Sequence, residues 1–321
     1  MPHPRPIVLV SRCLGFDRCR YNGQTIPDRF VEKLGAFVEY RHTCPEVAIG
    51  LGVPRPPIRI VDDGSGRRLV QPETGRDCTG AMNDFCAGFL DELGPVDGAI
   101  LKYRSPSCGL KGVKVFPGAD SKQAGKRGPG FFGAAVLERL AGRPVEDEGR
   151  LQNYNLRENF LLALFTHARF RAAQASGEMS ALVAFHARHK YLLMAYHQEG
   201  MRKLGRIVAN PKHRAPDRVF GAYARELGPL LSRQPRREAK LNVLQHLLGH
   251  YKKDLAAEEK AFFLETLDRY RGEKAPFSVP LHIIRAWLAR RDSPYLREQV
   301  LFDPYPEALA DTLDSGKGRD V

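Results

Sequence analysis

Hydrophobic periodicity changes once along this 321-residue chain, near residue 155. Before that point short apolar runs alternate with helical segments. Pro6–Val10 (PIVLV), Phe37–Tyr40 (FVEY) and Gly98–Lys102 (GAILK) read as strands. Phe30–Leu34, Thr79–Leu93 and Gly133–Leu140 carry helical spacing. Two strand fragments, Ile58–Val61 and Arg68–Val70, flank a turn at Asp62–Gly66, and Glu146–Arg150 reads as a charged linker. Beyond residue 155 six segments repeat at helical spacing: Phe160–Ala173, Ser180–Tyr196, Phe220–Leu231, Leu241–Leu248, Glu258–Tyr270 and Leu281–Arg290. Breaks are expected at Gly177, Gly205/Pro211, Pro235, Gly272/Pro276 and Pro294, and no strand pattern remains. The change predicts an α/β (Rossmann-like) N-terminal domain, residues 1–150, and an all-α C-terminal domain, residues 151–321.

Composition narrows the class. With 43% hydrophobic and 27% charged residues the chain has material for a core, which excludes disorder throughout. No apolar run approaches the roughly 18 residues of a membrane-spanning helix. The opening MPHPRPIVLVSRC reads as a first strand and not as a signal peptide, so a cytoplasmic location is expected. A net charge of +13 leaves nucleic acid, an acidic substrate or no partner at all as explanations.

All six cysteines, Cys13, Cys19, Cys44, Cys78, Cys86 and Cys108, lie in the first third of the chain. In a cytoplasmic protein this points to a metal site or catalytic thiols more than to disulfides. There is no C-x-x-C pair, so the fold would have to assemble any metal site from distant segments. Cys13, Cys44 and Cys108 each sit just past the carboxyl end of a candidate strand, where open α/β sheets bind ligands. If those strands are neighbours, three thiolates meet at one place. Three thiolates are one short of filling a 4Fe–4S cluster and would leave one iron open to a soft ligand such as sulfur. Glu46 and Ser105 lie close enough in sequence to face the same cavity, and a carboxylate there can act as a general base for water. The alternative is that these cysteines are small buried hydrophobes.

Three motifs sharpen this. Residues 8–23 are VLVSRCLGFDRCRYNG, residues 44–57 are CPEVAIGLGVPRPP and residues 101–109 are LKYRSPSCG. In this order they resemble the thiouracil desulfidase (TudS) family, over about residues 6–145. The helical half resembles a companion domain of that family, through FHARHKYLLM at 185–194, LGR at 204–206, NVLQH at 242–246, VPL at 279–281 and DPYP at 303–306. The fusion of both resembles the RNA desulfidases (RudS), which remove sulfur from 4-thiouridine in tRNA.

The resemblance implies a 4Fe–4S cluster held by Cys13, Cys44 and Cys108 with one open iron that takes the substrate sulfur. Glu46 and Ser105 would be the acid/base or polarising groups, and the reaction is hydrolytic and without net redox change. Arg12 stands where relatives often carry a small residue, and Cys19 is also a motif cysteine, either structural, redox-active or an alternative ligand. Phe16, Tyr21 and Tyr103 are candidates for stacking on the base. Residues 1–150 carry a net +4 and the remainder +9, with 11 Lys/Arg against three acids between Arg202 and Lys240. That stretch fits either a phosphate contact or a solvated basic face, and the resemblance implies tRNA as the partner. Candidate RNA contacts are Arg12, Arg55, Lys190, Arg206, Arg214, Arg236 and Arg237. His246 and His250 share a helix face, but Leu247 replaces the Glu of a metalloprotease motif. Competing functions are the same reaction on free thiouracil or thionucleotides, a non-enzymatic Fe–S sensor that binds nucleic acid, and a three-cysteine zinc hydrolase.

Overall fold

The computed structural model describes residues 3–291 and 293–311. Its strands are β1 (Ile7–Ser11), β2 (Glu39–Thr43), β3 (Arg59–Asp62), β4 (Arg67–Gln71), β5 (Arg76–Asp77), β6 (Gly98–Leu101), β7 (Val113–Phe116), β8 (Lys126–Gly128) and β9 (Val145–Asp147). Four helices fall among them: α1 (Arg29–Leu34), α2 (Pro45–Ala48), α3 (Thr79–Glu92) and α4 (Phe131–Arg139). Eight follow: α5 (Tyr154–Ser176), α6 (Met179–Tyr196), α7 (Gln198–Ala209), α8 (Pro216–Leu231), α9 (Arg237–Tyr251), α10 (Ala257–Arg271), α11 (Ser278–Arg290) and α12 (Pro294–Arg297). The expected order of an α/β part and then a helical part is what the chain adopts.

Two sheets form. One is parallel throughout, in the order β2-β1-β6-β9. The other is mixed, in the order β5-β4-β3-β7-β8. Every residue of β1 (IVLVS) and β6 (GAIL) is buried, as expected for central strands of a parallel sheet covered on both faces. The core joins Leu9, Ala99 and Leu101 of the first sheet to Ile60, Leu69, Val113 and Val115 of the second, with Met82, Cys86 and Leu90 of α3 and Phe132 and Val136 of α4. Among the described residues, one compact unit runs to Ala168 and takes in the chain again from Pro306, and a second is Arg169–Tyr305.

Three local expectations are corrected. Glu146–Arg150 is not a linker: Val145–Asp147 pairs with β6 as an edge strand, and the acids are held, Glu146 by Arg150 at 2.7 Å and Glu148 by Lys102. Gly205 does not break a helix but lies inside α7, where a Cβ would stand 3.2 Å from His186 Nε2, so it serves close packing. The second strand begins later than FVEY suggests, at Glu39, and runs to Thr43. No described helix is long and apolar enough to cross a membrane.

Candidate functional site

The order β2-β1-β6 makes neighbours of the three strands whose ends precede Cys44, Cys13 and Cys108. The β1–β2 ladder continues one step past Ser11, through Arg12 N–H donating to the Thr43 carbonyl at 2.9 Å. Cys13 and Cys44 follow at the same end of these two paired strands. Cys44 is the N-cap of α2, and Pro45 at the first helical position suits that start. Glu46 is therefore in the first turn of α2.

The Cys108 loop is held by α4. The N–H groups of Gly130, Phe131 and Gly133 donate to the carbonyls of Gly109, Pro106 and Ser107 at 2.7, 3.2 and 2.9 Å. Helix N-termini have free donors, and here the loop carbonyls use them. The approach is so close that a Cβ on Gly133 would stand 2.3 Å from the Gly109 oxygen.

A cavity of about 210 Å³ is lined by Cys13, Cys19, Cys44, Cys108, Glu46, Ser105 and Ser107. Cys19 is hydrogen-bonded to both Cys13 and Cys44, and Cys108 lies in the same cavity wall. Among the described residues no three His, Cys, Asp or Glu side chains gather as they would around a single ion. A cluster takes each thiolate on a separate iron, so its ligands need not converge on one point as those of a single ion do. All six cysteines are free thiols. Burial pushes the Cys108 thiol up to about 12, with hydrogen bonds from Ser11 and Ser107 opposing it. Its hydrogen bond with Cys13 pushes Cys19 up to about 11, and Cys44 is raised well above the usual thiol range by its bond with Cys19 and by burial.

Glu46 is fixed on both oxygens. Arg55 Nε and Nη2 donate to Oε2 at 3.0 and 2.7 Å. Oε1 accepts from Ser107 Oγ at 2.7 Å and from Ser105 Oγ at 3.5 Å. Ser105 Oγ also accepts from the Cys108 N–H at 3.1 Å and lies 2.9 Å from Ser107 Oγ. The carboxylate, both hydroxyls and the Cys108 loop are thus one hydrogen-bonded unit, with a carboxylate placed to take a proton and hydroxyls to relay it.

One member of this unit, Ser107, was not among the sequence-derived candidates, and Cys19 was named from its motif alone. Ser107 carries the shorter bond to Glu46, and its only signal was its place inside SPSCG. Cys19 lies in the cavity wall although it follows no strand. Arg55 is placed differently from expectation. Its side chain is 3% exposed and is consumed by Glu46 and by the Gly52 and Cys19 carbonyls, so it is not a free phosphate contact. Arg12 lines the cavity and is paired with Asp17 at 2.9 Å. Tyr21 and Tyr103 line the cavity, whereas Phe16 is not in its wall and stacks on His42. In the helical unit Arg206, Arg214 and Arg236 are exposed, Arg237 is paired with Glu273, and Lys190 lies over the Tyr191 ring.

Residues 8–148 match the family described as 2-thiouracil desulfurase, and residues 190–306 match a family of unknown function, DUF1722. The uncharacterized protein YbbK of Bacillus subtilis is 32% identical over 154 residues, 46% of this chain and 99% of its own length. The uncharacterized protein YbgA of Escherichia coli is 26% identical over 154 residues, 47% of this chain and 91% of its own. A solved structure of the [4Fe–4S]-dependent thiouracil desulfidase TudS is 32% identical, covers 46% of this chain and 93% of its own, and has a TM-score of 0.35. The chain belongs to the 2-thiouracil desulfurase family, with a DUF1722 domain following in the same polypeptide.

Proposed function

We propose that the protein is a desulfidase that depends on a 4Fe–4S cluster and converts 4-thiouridine in tRNA to uridine and sulfide. One observation carries this: four thiols and a doubly anchored carboxylate share one cavity. Family membership supports the desulfidase activity, and the [4Fe–4S] dependence of a 32%-identical sequence relative agrees with the thiol-lined wall.

Cys13, Cys44 and Cys108 would hold the cluster. When bound, such a cluster supplies a soft Lewis-acidic iron without a protein ligand. Glu46 takes a proton from the water that adds to ring carbon 4. Its fixed position between Arg55 and Ser107 aims that base at the cavity instead of at solvent. Ser105 and Ser107 carry a proton between Glu46 and the departing group. Overall a C–S bond breaks and a C–O bond forms. The two hydrogens of water leave with sulfur as hydrogen sulfide, and no electrons change hands.

We assign desulfidation to residues 1–150 and the holding of RNA to residues 151–321, where the charge is +9. A thiolated base inside tRNA would be extruded from its stack to enter the cavity. The free thiols suit a cytoplasmic location.

The test is iron and sulfide analysis of protein prepared without oxygen, with a turnover assay. Single Cys13→Ala, Cys44→Ala and Cys108→Ala variants are expected to lose visible absorbance and activity together. Glu46→Gln should keep the absorbance and lose turnover by 10²-fold or more, on the order of a general-base contribution. Turnover by an iron-free variant would sink the proposal.

A further inference from the structure

Four side chains of the helical unit form one connected cluster: Lys190 and Tyr191 from α6, His250 from α9 and Tyr295 from α12. The Lys190 ammonium is 5.6 Å from the Tyr191 ring centroid and 6.0 Å from that of Tyr295. The two tyrosine rings meet edge to face at 6.3 Å, and the His250 ring is 6.0 Å from each. Tyr191 is buried at the base of the cluster, and its Oη is 2.6 Å from His250 Nε2. Burial pushes the Tyr191 hydroxyl up to about 12, so it keeps its proton and donates it to Nε2. The buried Gln299 fastens α12 to α6. Its Nε2 donates to the Ala187 carbonyl at 2.9 Å and the Tyr295 carbonyl at 3.4 Å, and its Oε1 accepts from the Tyr191 N–H at 3.4 Å. Above this base Tyr295 is 41% exposed, and His250 is exposed. No carboxylate pairs with Lys190 among the described residues, and the acid that follows α12, Glu298, is taken by Arg188 at 3.1 Å. The charged groups that act on His250 are Lys190 and His246, both basic.

We propose that this cluster is a stacking site for an unpaired nucleobase of RNA, which lies on Tyr295 and His250 while Lys190 meets a neighbouring phosphate. An aromatic cluster that served only the core would bury its rings, whereas this one leaves two of three exposed beside a cation without an acid. Every base has a face that stacks on an aromatic ring, and a basic group beside the ring takes the backbone. A lysine already held over two rings is oriented before binding, so less rotamer freedom is lost when it meets a phosphate. In a duplex the base faces are covered by their neighbours, so the site selects unpaired nucleotides. The proposal rests on the RNA-holding role of residues 151–321 and names the part of the RNA that is held.

The experiment measures, by fluorescence anisotropy, binding of the full chain to a short oligouridine, to an abasic strand of the same length and to an RNA duplex. The abasic strand keeps the phosphates and lacks the bases. The wild-type protein should prefer oligouridine to both. Tyr295→Ala should weaken oligouridine binding by about 10-fold, as loss of one base–aromatic stack does, and leave the abasic strand unchanged. Tyr295→Phe keeps the ring and should bind as the wild type does. Lys190→Met should weaken both single strands and lower the salt slope by about one, as loss of one phosphate contact does. Lys114→Met, at an exposed position on β7, is the control for lost charge. A bromouridine strand irradiated with the wild-type protein should cross-link to the peptide that holds His250 or Tyr295, a readout that needs no variant to fold. Wild-type affinity in Tyr295→Ala, an equal loss for the abasic strand, no wild-type preference for oligouridine over the abasic strand, or a cross-link confined to other peptides overturns the site, while RNA binding itself stands. If the wild-type protein binds none of the three, the RNA-holding role of residues 151–321 fails and the site with it. Sulfide release plays no part in these readouts, so they decide the site whether or not the α/β part desulfurises.

Discussion

Glu46 keeps a charged oxygen in a wall where its side chain is only 13% exposed, beside an arginine that is 3% exposed. Removing one partner of a buried pair leaves the other charge without compensation, and that costs more than the pair gained by forming. Arg55→Met should therefore destabilise the protein by about 3 kcal/mol in denaturant melts, the lower end of the range because Glu46 reaches some water. The double variant Arg55→Met/Glu46→Gln should recover part of that loss, since the orphaned charge is gone. Equal stability of the single and double variants would show that the ion pair is not what Arg55 supplies. At this scale the sequence was informative where a residue lies in the loop that leaves the carboxyl end of a parallel strand. Cys13, Cys44 and Cys108 with Glu46 and Ser105 were found that way, because strand ends in a parallel sheet point to one edge. Ser107 and the burial of Arg55 were not, and Cys19 was named from its motif without a place, because these depend on the course of loops that no periodicity encodes.

The elements make two glycines instructive by contrast. Gly133 in α4 presses against the carbonyls of the Cys108 loop, with Gly109 O 2.3 Å and Cys108 O 2.8 Å from an added Cβ. Gly88 in α3 is exposed, and an added Cβ there meets nothing within 4 Å. Gly133→Ala must push the loop away and should cost about 1–3 kcal/mol, as overpacking does, with weaker iron retention after reconstitution. Gly88→Ala should stabilise by about 0.5–1 kcal/mol, by relieving the entropy cost of helical glycine. Thermal melts and iron counts read both, and a Gly133→Ala protein with unchanged stability and iron would refute the close-packing account. Element types were legible where the period was strong, as in β1, β6, α3 and α6. The charged run at 146–148 hid an edge strand because its acids find partners in Arg150 and Lys102 only after folding. β7 and β8 were missed because VKVF and KRG are too short and too charged to stand out.

Over the whole molecule the charge excess sits in the cysteine-free part, and that division was already visible in the sequence. The response to acid divides as well. His189, in the second unit, is held down to about 3, chiefly by burial, and His167, in the first, likewise. Their unfolded counterparts take a proton near 6.5, so between there and about 3 the unfolded chain binds more protons. Stability then falls with falling pH by about 1.4 kcal/mol per pH unit for each group. Asp147, in the first unit, is raised by burial from 3.8 to about 6. Its sign is opposite: as pH falls from about 6 towards 4 the folded state binds the proton first, and stability rises. In the first unit these slopes oppose each other. In the second His189 is unopposed, and His186 and His250 are lowered too, again chiefly by burial. Acidification from about pH 6.5 to 4.5 should therefore cost the helical unit about 2–3 kcal/mol from His189 alone, with little change in the α/β unit. Hydrogen exchange corrected for intrinsic rates should show α6 and α9 losing protection at a higher pH than β1 and β6. Earlier loss in the strands would contradict this assignment of the buried histidines.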